Sequence, residues 1–217
     1  RAVRNGANIS SVLSVLETCR GDVGLTLSIP RQGLGNAAIA AVANDEQKAR
    51  YGNRWAAMAI TEPEVGSDSG AIRTTAVRDG DEYVLNGEKI YVTAGERAEL
   101  VVVWATLDRS LGKQAIKSFV VERTNPGLKL VRLEHKLGIH GSPTCVMSFE
   151  GARGWLVGEI NKGMNHMFIM MNAARLGTGM QGLGIGEAAY QNALAYAKDR
   201  LQMRKEPRVS SEEADPI

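Results

Sequence analysis

Met58-Ala59-Ile60-Thr61-Glu62-Pro63-Glu64-Val65-Gly66-Ser67-Asp68 runs three apolar residues straight into a hydroxyl, a carboxylate and a proline. Pro63 disfavours the helical region for the residue before it, so Thr61 and Glu62 should be extended. Gly66-Ser67-Asp68 then reads as a corner. Glycine there tolerates the positive φ that lets successive N–H groups point outward as a nest. Outward N–H groups beside small hydroxyls suit an anionic or carbonyl-rich ligand. Just downstream, Asp81-Glu82-Tyr83-Val84-Leu85 and Glu88-Lys89-Ile90-Tyr91-Val92-Thr93 flank Asn86-Gly87. That dipeptide between two such runs predicts a two-residue hairpin.

Outward from this stretch the pattern is of short strands. They are expected at 58–61, 72–77, 82–86, 88–93, 99–105, 116–122, 128–133 and 145–149, with turns at Asp79-Gly80, Asn86-Gly87, Asp108–Gly112 and Asn125-Pro126-Gly127. Regular strands with polar turns and no long helix between them imply an antiparallel barrel or sandwich. Val101-Val102-Val103-Trp104-Ala105 is apolar throughout and should be central. On the N-terminal side, Ile9, Val12, Leu13 and Leu16 have helical spacing over 9–20, and Asn44-Asp45-Glu46-Gln47 reads as a cap opening a short helix that ends near Gly52. On the C-terminal side, Met164, Met167, Phe168, Met171, Ala174, Thr178 and Gln181 fall on one stripe of a long helix that continues to Asp199. After Arg204 the chain turns polar and proline-bearing and reads as a loop or interrupted insertion.

Composition removes several classes. With 217 residues, 44% hydrophobic and 23% charged, the chain has room for one or two ordinary globular domains. A net charge of +2 with no basic stripe does not point to nucleic acid. Cys19 and Cys145 make no disulfide framework, which is consistent with a reducing compartment. No run reaches the ~18 apolar residues of a membrane span. His135, His140 and His166 lack ligand spacing, so no metal site is expected. Gly177-Thr178-Gly179-Met180-Gln181-Gly182 matches G-x-G-x-x-G formally, but that motif needs a strand before it, and the preceding residues are helical. These glycines read instead as allowing close helix packing. The chain starts at Arg1, and the native start is expected to be missing.

Ala59 to Pro63, Gly66-Ser67-Asp68 and Leu85-Asn86-Gly87-Glu88-Lys89-Ile90-Tyr91-Val92-Thr93 together resemble the middle domain of the acyl-CoA dehydrogenases. Gly141-Ser142-Pro143-Thr144 and Ala174-Arg175-Leu176 fit the same family, in the same order. The resemblance implies an α+β multidomain fold: a partial N-terminal helical domain over 1–57, a β-barrel or sandwich middle domain over 58–158, and the long helix of a truncated C-terminal helical bundle over 159–217. It implies FAD as cofactor, because a flavin that accepts hydride needs donors at its pyrimidine carbonyls, at N5 and at its diphosphate. The family places the Thr-Glu-Pro strand, here Ile60 and Thr61, at the ring, and the Gly-Ser corner, here Gly66 and Ser67, at the diphosphate. It stacks an aromatic on the flavin and bonds a threonine near N5, positions held by Tyr91 and Thr93; many members carry tryptophan where Tyr91 stands.

By the same resemblance Arg200 reaches the FAD diphosphate of a neighbouring subunit and Met203 lies near the adenine. Arg200 also reads simply as a cation at a helix C-terminus, favoured by the dipole. Met171, Asn172 and Arg175, with Ser67, match the acyl-CoA pocket, although a methionine stripe equally reads as core. The intact protein is expected to be a homodimer or homotetramer that oxidises an acyl-CoA to the trans-2-enoyl-CoA and passes electrons to an electron-transfer flavoprotein. It would be cytoplasmic if bacterial and in the mitochondrial matrix if eukaryotic. Alternatives are an acyl-CoA oxidase, a flavin monooxygenase-like relative, or a non-catalytic CoA- or flavin-binding module. The reaction needs a carboxylate base within hydrogen-bond reach of the substrate α-proton. Most family members carry it far downstream and a minority on the residue before the helix arginine, which here is Ala174. Glu62 and Glu187 are not placed for the task, so no catalytic residue is assigned.

Overall fold

The computed structural model describes residues 7–29, 34–159, 163–204 and 214–216. The chain divides into two compact units, one formed by Arg1–Thr26 with Leu176–Ile217 and the other by Leu27–Arg175.

In the larger unit, helices α2 (Leu34–Val42) and α3 (Asp45–Tyr51) precede seven strands. These are β1 (Ala56–Ala59), β2 (Thr75–Asp79), β3 (Glu82–Thr93), β4 (Leu100–Thr106), β5 (Ile116–Glu122), β6 (Leu128–Leu133) and β7 (Thr144–Leu156). Helix α3 opens as the sequence predicts: Asn44 accepts from the Gln47 N–H at 2.8 Å while the Gln47 side chain accepts from the Asn44 N–H at 3.3 Å, a reciprocal capping box. The ladder β4-β2-β3-β7-β5 closes on itself through a second β4–β5 pairing, with β1 beside β4 and β6 beside β7. The unit is therefore a barrel. Most pairings are antiparallel, but β1 runs parallel to β4, and β2 meets β4 in a parallel step at Thr75 and Thr106.

Strand β4 shows why an unbroken apolar run belongs at the centre. Side chains alternate across a strand, so Val101, Val103 and Ala105 enter one core with Leu85, Phe119, Met147 and Phe149, while Leu100, Val102 and Trp104 enter a second with Ile39, Tyr51, Met167 and Met170. Both faces are buried, which is why the run from Leu100 to Ala105 is apolar throughout. Trp104 also donates its indole N–H to the Gly163 carbonyl at 3.2 Å.

The expected hairpin at Asn86-Gly87 does not form. The β2–β3 turn is at Gly80-Asp81, with Asp79 opposite Glu82 and Gly80 at φ +65. Strand β3 runs unbroken through Asn86-Gly87, and the dipeptide marks a register shift against β7. Two local contacts explain it. The Asn86 side chain accepts from the Gly151 N–H at 2.8 Å, and a β-carbon on Gly87 would fall 2.5 Å from the Thr74 hydroxyl oxygen. The glycine is there for close approach, not for a reversal.

Helix α4 (Gly163–Asp199) begins in the larger unit. Its buried ridge is Met167 and Met170, with Met164 and Met171 packed beside them, whereas Phe168 is exposed. Met170 was outside the expected stripe. In the smaller unit, α1 (Ala7–Ser28) is broken at Asp22, whose φ of −164 and ψ of 113 are extended. The Asp22 carboxylate then caps the next turn by accepting from the Leu25 N–H at 2.8 Å. Gly177 to Gly182 lie inside α4 with no strand before them, as expected. The close approach falls later: a β-carbon on Gly184 would sit 2.7 Å from the Leu16 carbonyl oxygen, whereas Gly177, Gly179 and Gly182 have open space among the described residues. Past α4, β8 (Leu201–Arg204) pairs with β9 (Ala214–Pro216). The loop expected after Arg204 falls mostly outside the described residues. No helix among the described residues is long and apolar enough to cross a membrane.

Candidate functional site

The Thr-Glu-Pro segment leaves β1 and turns at once. Glu62 and Val65 bridge each other through Glu62 N–H to Val65 O at 2.9 Å and Val65 N–H to Glu62 O at 3.1 Å. Glu62 itself points inward and is buried. Its carboxylate accepts from the Arg73 N–H at 2.7 Å, the Thr74 N–H at 2.9 Å, the Thr74 hydroxyl at 2.6 Å and Lys89 Nζ at 2.8 Å. Lys89 is completely enclosed, and its ammonium makes a second bond to the Ile60 carbonyl at 2.9 Å. One residue on, the Ile90 N–H donates to the Thr61 carbonyl at 2.9 Å. The turn is thus fastened to β3 at two consecutive residues.

Burying two charges is tolerated when they are paired and their remaining hydrogen-bonding capacity is met. Burial pushes the Glu62 carboxyl up, but the Lys89 charge and the hydrogen bonds from Lys89, Thr74 and Arg73 outweigh it and leave the group below the ordinary carboxylate range. Burial lowers the Lys89 ammonium to about 8, with Glu62 opposing the fall, so the lysine is a cation at neutral pH. Sequence reading left this pair undetected. Its signal was the strand period: Tyr83 and Leu85 face the core, which puts Lys89 in the same phase and demands a buried partner.

Beyond Lys89 that phase slips. Tyr91 takes φ +58, a left-handed conformation uncommon for a bulky residue, and the β3–β7 register shifts between Lys89 and Val92. Val92 fills the core while the Tyr91 ring stands out, 62% exposed. Thr93 is exposed and pairs with Thr144, and the Ala94 N–H donates to the Pro143 carbonyl at 2.9 Å. The two motifs Tyr91-Val92-Thr93 and Gly141-Ser142-Pro143-Thr144, far apart in sequence, are thereby neighbours.

Gly66 and Ser67 form an exposed bend, but Gly66 is not among the residues at positive φ. The expected left-handed nest therefore does not form at Gly66, and the turn is closed instead by the Glu62–Val65 bridge just before it. Met171 is half-buried against the second core, whereas Asn172 and Arg175 are exposed and joined at 3.3 Å. Ile60 is half-buried against that same core. Arg200 belongs to the other unit, where it follows α4, is exposed, and donates its N–H to the Tyr196 carbonyl at 2.8 Å. The Met203 side chain lies outside the described residues, as does that of His166. The structure therefore brings Ile60, Thr61, Tyr91 and Thr93 to one region of the barrel, with Gly66 and Ser67 a few residues along the same turn.

The donor set suits a flavin. The hydroxyls of Thr61, Ser67 and Thr93 make no hydrogen bond among the described residues, so Thr61 and Thr93 leave two small donors in the region of the exposed Tyr91 ring, with Ser67 further along the turn. Glu62, by contrast, is enclosed and committed to four donors, which removes it as a base.

The family profile described as acyl-CoA dehydrogenase, middle domain, matches residues 57–152. Over 209 residues the chain is 42% identical to a 3-methylmercaptopropionyl-CoA dehydrogenase of Ruegeria pomeroyi, covering 85% of this chain and 35% of that protein. It is 36% identical to an acyl-CoA dehydrogenase of Bacillus subtilis, covering 89% of this chain and 54% of the other. The solved butyryl-CoA dehydrogenase of Megasphaera elsdenii aligns with a TM-score of 0.83 at 32% identity, over 96% of this chain and 57% of that one. The chain thus spans about half the length of the latter two. Barrel topology, the fastened Thr-Glu-Pro turn and these similarities agree: the chain belongs to the acyl-CoA dehydrogenase family and corresponds to its middle domain with flanking helical segments.

Proposed function

We propose that the whole protein catalyses FAD-dependent α,β-dehydrogenation of an acyl-CoA thioester to the trans-2-enoyl-CoA and hands the electrons to an electron-transfer flavoprotein. The division at 57/58 and 158/159 into helical, β and helical parts goes with this proposal. The observation that carries it is the turn at Ile60–Thr61, fastened to β3 beside an outward Tyr91 and an unengaged Thr93 hydroxyl.

When bound, the flavin supplies the hydride acceptor. This chain's residues hold and orient it. Thr61 and Thr93 offer donors to the ring, Tyr91 covers it, and Gly66 and Ser67 bind the diphosphate. Arg200 and Met203 serve the diphosphate and adenine, Arg200 across a subunit interface in a homodimer or homotetramer. Ser67, Met171, Asn172 and Arg175 line the acyl-CoA side; methionine adapts well to a flexible chain. The base belongs to the remainder of the protein, since Glu62 is sequestered and Ala174 has no proton to exchange.

The test is anaerobic mixing of the full-length protein with acyl-CoAs of graded chain length, followed through the visible flavin band. Bleaching with one class supports the reaction and identifies the substrate size. Protein that holds FAD yet bleaches with none of them sinks it.

A further inference from the structure

We propose that Lys89 is a positioning residue that sets the hydrogen-bond polarity of the Ile60–Thr61 segment, making it a ledge whose backbone offers donors only. This rests on the flavin reading above. The Ile60 carbonyl is taken by Lys89 Nζ at 2.9 Å and the Thr61 carbonyl by the Ile90 N–H at 2.9 Å. Two successive acceptors of the turn are thus satisfied from within, by two successive residues of β3. What Thr61 keeps for a ligand is its N–H and its hydroxyl.

The second of these ties needs only an ordinary backbone N–H. The first needs a side chain, because Lys89 faces inward where the strand's own groups do not reach. An ammonium has three donors and no acceptor, so it can serve both the Ile60 carbonyl and a counter-charge. Glu62 is that counter-charge at 2.8 Å, and it is itself held by the N–H groups of Arg73 and Thr74. The chain of contacts therefore runs from buried Thr74 through buried Glu62 and Lys89 to the half-buried Ile60. A methionine would fill the same volume at no electrostatic cost, and neutral replacement of a buried ion pair is often tolerated by the fold. What a methionine cannot do is occupy the Ile60 carbonyl. The ligand consequence is selective: a ledge of donors favours a ring edge rich in acceptors, as in an oxidised isoalloxazine, over one that carries an added N–H.

The experiment compares wild-type full-length protein with Lys89→Met and with Glu62→Gln/Lys89→Met, which leaves no buried charge behind. Three quantities are read: the thermal transition of the apoprotein, FAD affinity by fluorescence quenching, and the flavin midpoint potential. In the double variant the cooperative transition is expected to persist, while the FAD Kd rises about tenfold, the scale of one lost charge-assisted contact. The potential is expected to move upward, because a freed Ile60 carbonyl would be an acceptor for the N–H that reduction adds to the ring. Two outcomes overturn the proposal. One is a folded double variant with wild-type affinity and potential. The other is loss of the cooperative transition in both variants, which would make the pair a folding element. Wild-type protein that binds no FAD would instead remove the flavin reading on which the proposal stands.

Discussion

Gly87 is pressed against Thr74: a β-carbon on the glycine would lie 2.5 Å from the threonine hydroxyl oxygen and 2.8 Å from its Cα. The second contact is with main chain that cannot rotate away. It joins the strand carrying Tyr91 and Thr93 to the residue that feeds Glu62 two hydrogen bonds.

Gly87→Ala should therefore destabilise the barrel by about 1–3 kcal/mol, the usual cost of overpacking. Urea unfolding measures it. A midpoint equal to wild type would show that β3 can move away from Thr74.

Tyr91→Gly separates stability from binding. Relief of the left-handed conformation is worth about 1 kcal/mol, so apoprotein stability should rise or hold despite the lost side chain. FAD affinity should fall, because the exposed ring makes no core contact in the free protein. Stability and affinity falling together would place the ring in the fold instead.

Thr93→Val keeps the shape of the strand and removes a hydroxyl that is unengaged in the protein alone. Folding should be unaffected. Flavin binding or reduction in the full-length protein should weaken on the order of 1 kcal/mol, the scale of one hydrogen bond. An unchanged flavin spectrum and reduction rate would count against the assignment near N5.

The buried pair gives the barrel a signed pH response. The Glu62 carboxyl is held below its ordinary value of 4.5, so its contribution is complete above that value and is lost as pH falls through the lower folded value. Acid unfolding should be shallower in Glu62→Gln/Lys89→Met than in wild type. Lys89 acts at the other end: between about 8 and 10.5 the unfolded chain holds the extra proton, so this group makes stability rise with pH. Identical slopes in the two proteins, at either end, would show that other groups govern the response.

Much of this was legible because the physics was local. Val101 to Ala105 announced a strand buried on both faces, and Asn44 to Gln47 announced a cap, since each depends on neighbours a few residues away. Asn86-Gly87 misled for the same reason. The dipeptide signals a backbone without side-chain bulk, and only tertiary structure tells whether that freedom serves a reversal or a close approach. The fastening of Glu62 by Lys89 spans 27 residues and was out of reach of a pattern search, although strand phase pointed to an inward lysine. The φ of Tyr91 was illegible outright, because the slip that turns it outward is a mismatch with a partner strand.

Ring closure through β4 and β5 leaves β6 as a strand paired on one side only among the described residues. A bare edge of this kind invites another chain to add to it. Strand β6 carries two defences: a register shift between Leu130 and Arg132, and the cations of Lys129 and Arg132, whose side chains are 56% and 58% exposed. A straight strand approaching it would meet a kinked ladder and bulky charged side chains already paired with Glu150 and Glu134, so the irregularity of this strand works against edge-to-edge aggregation.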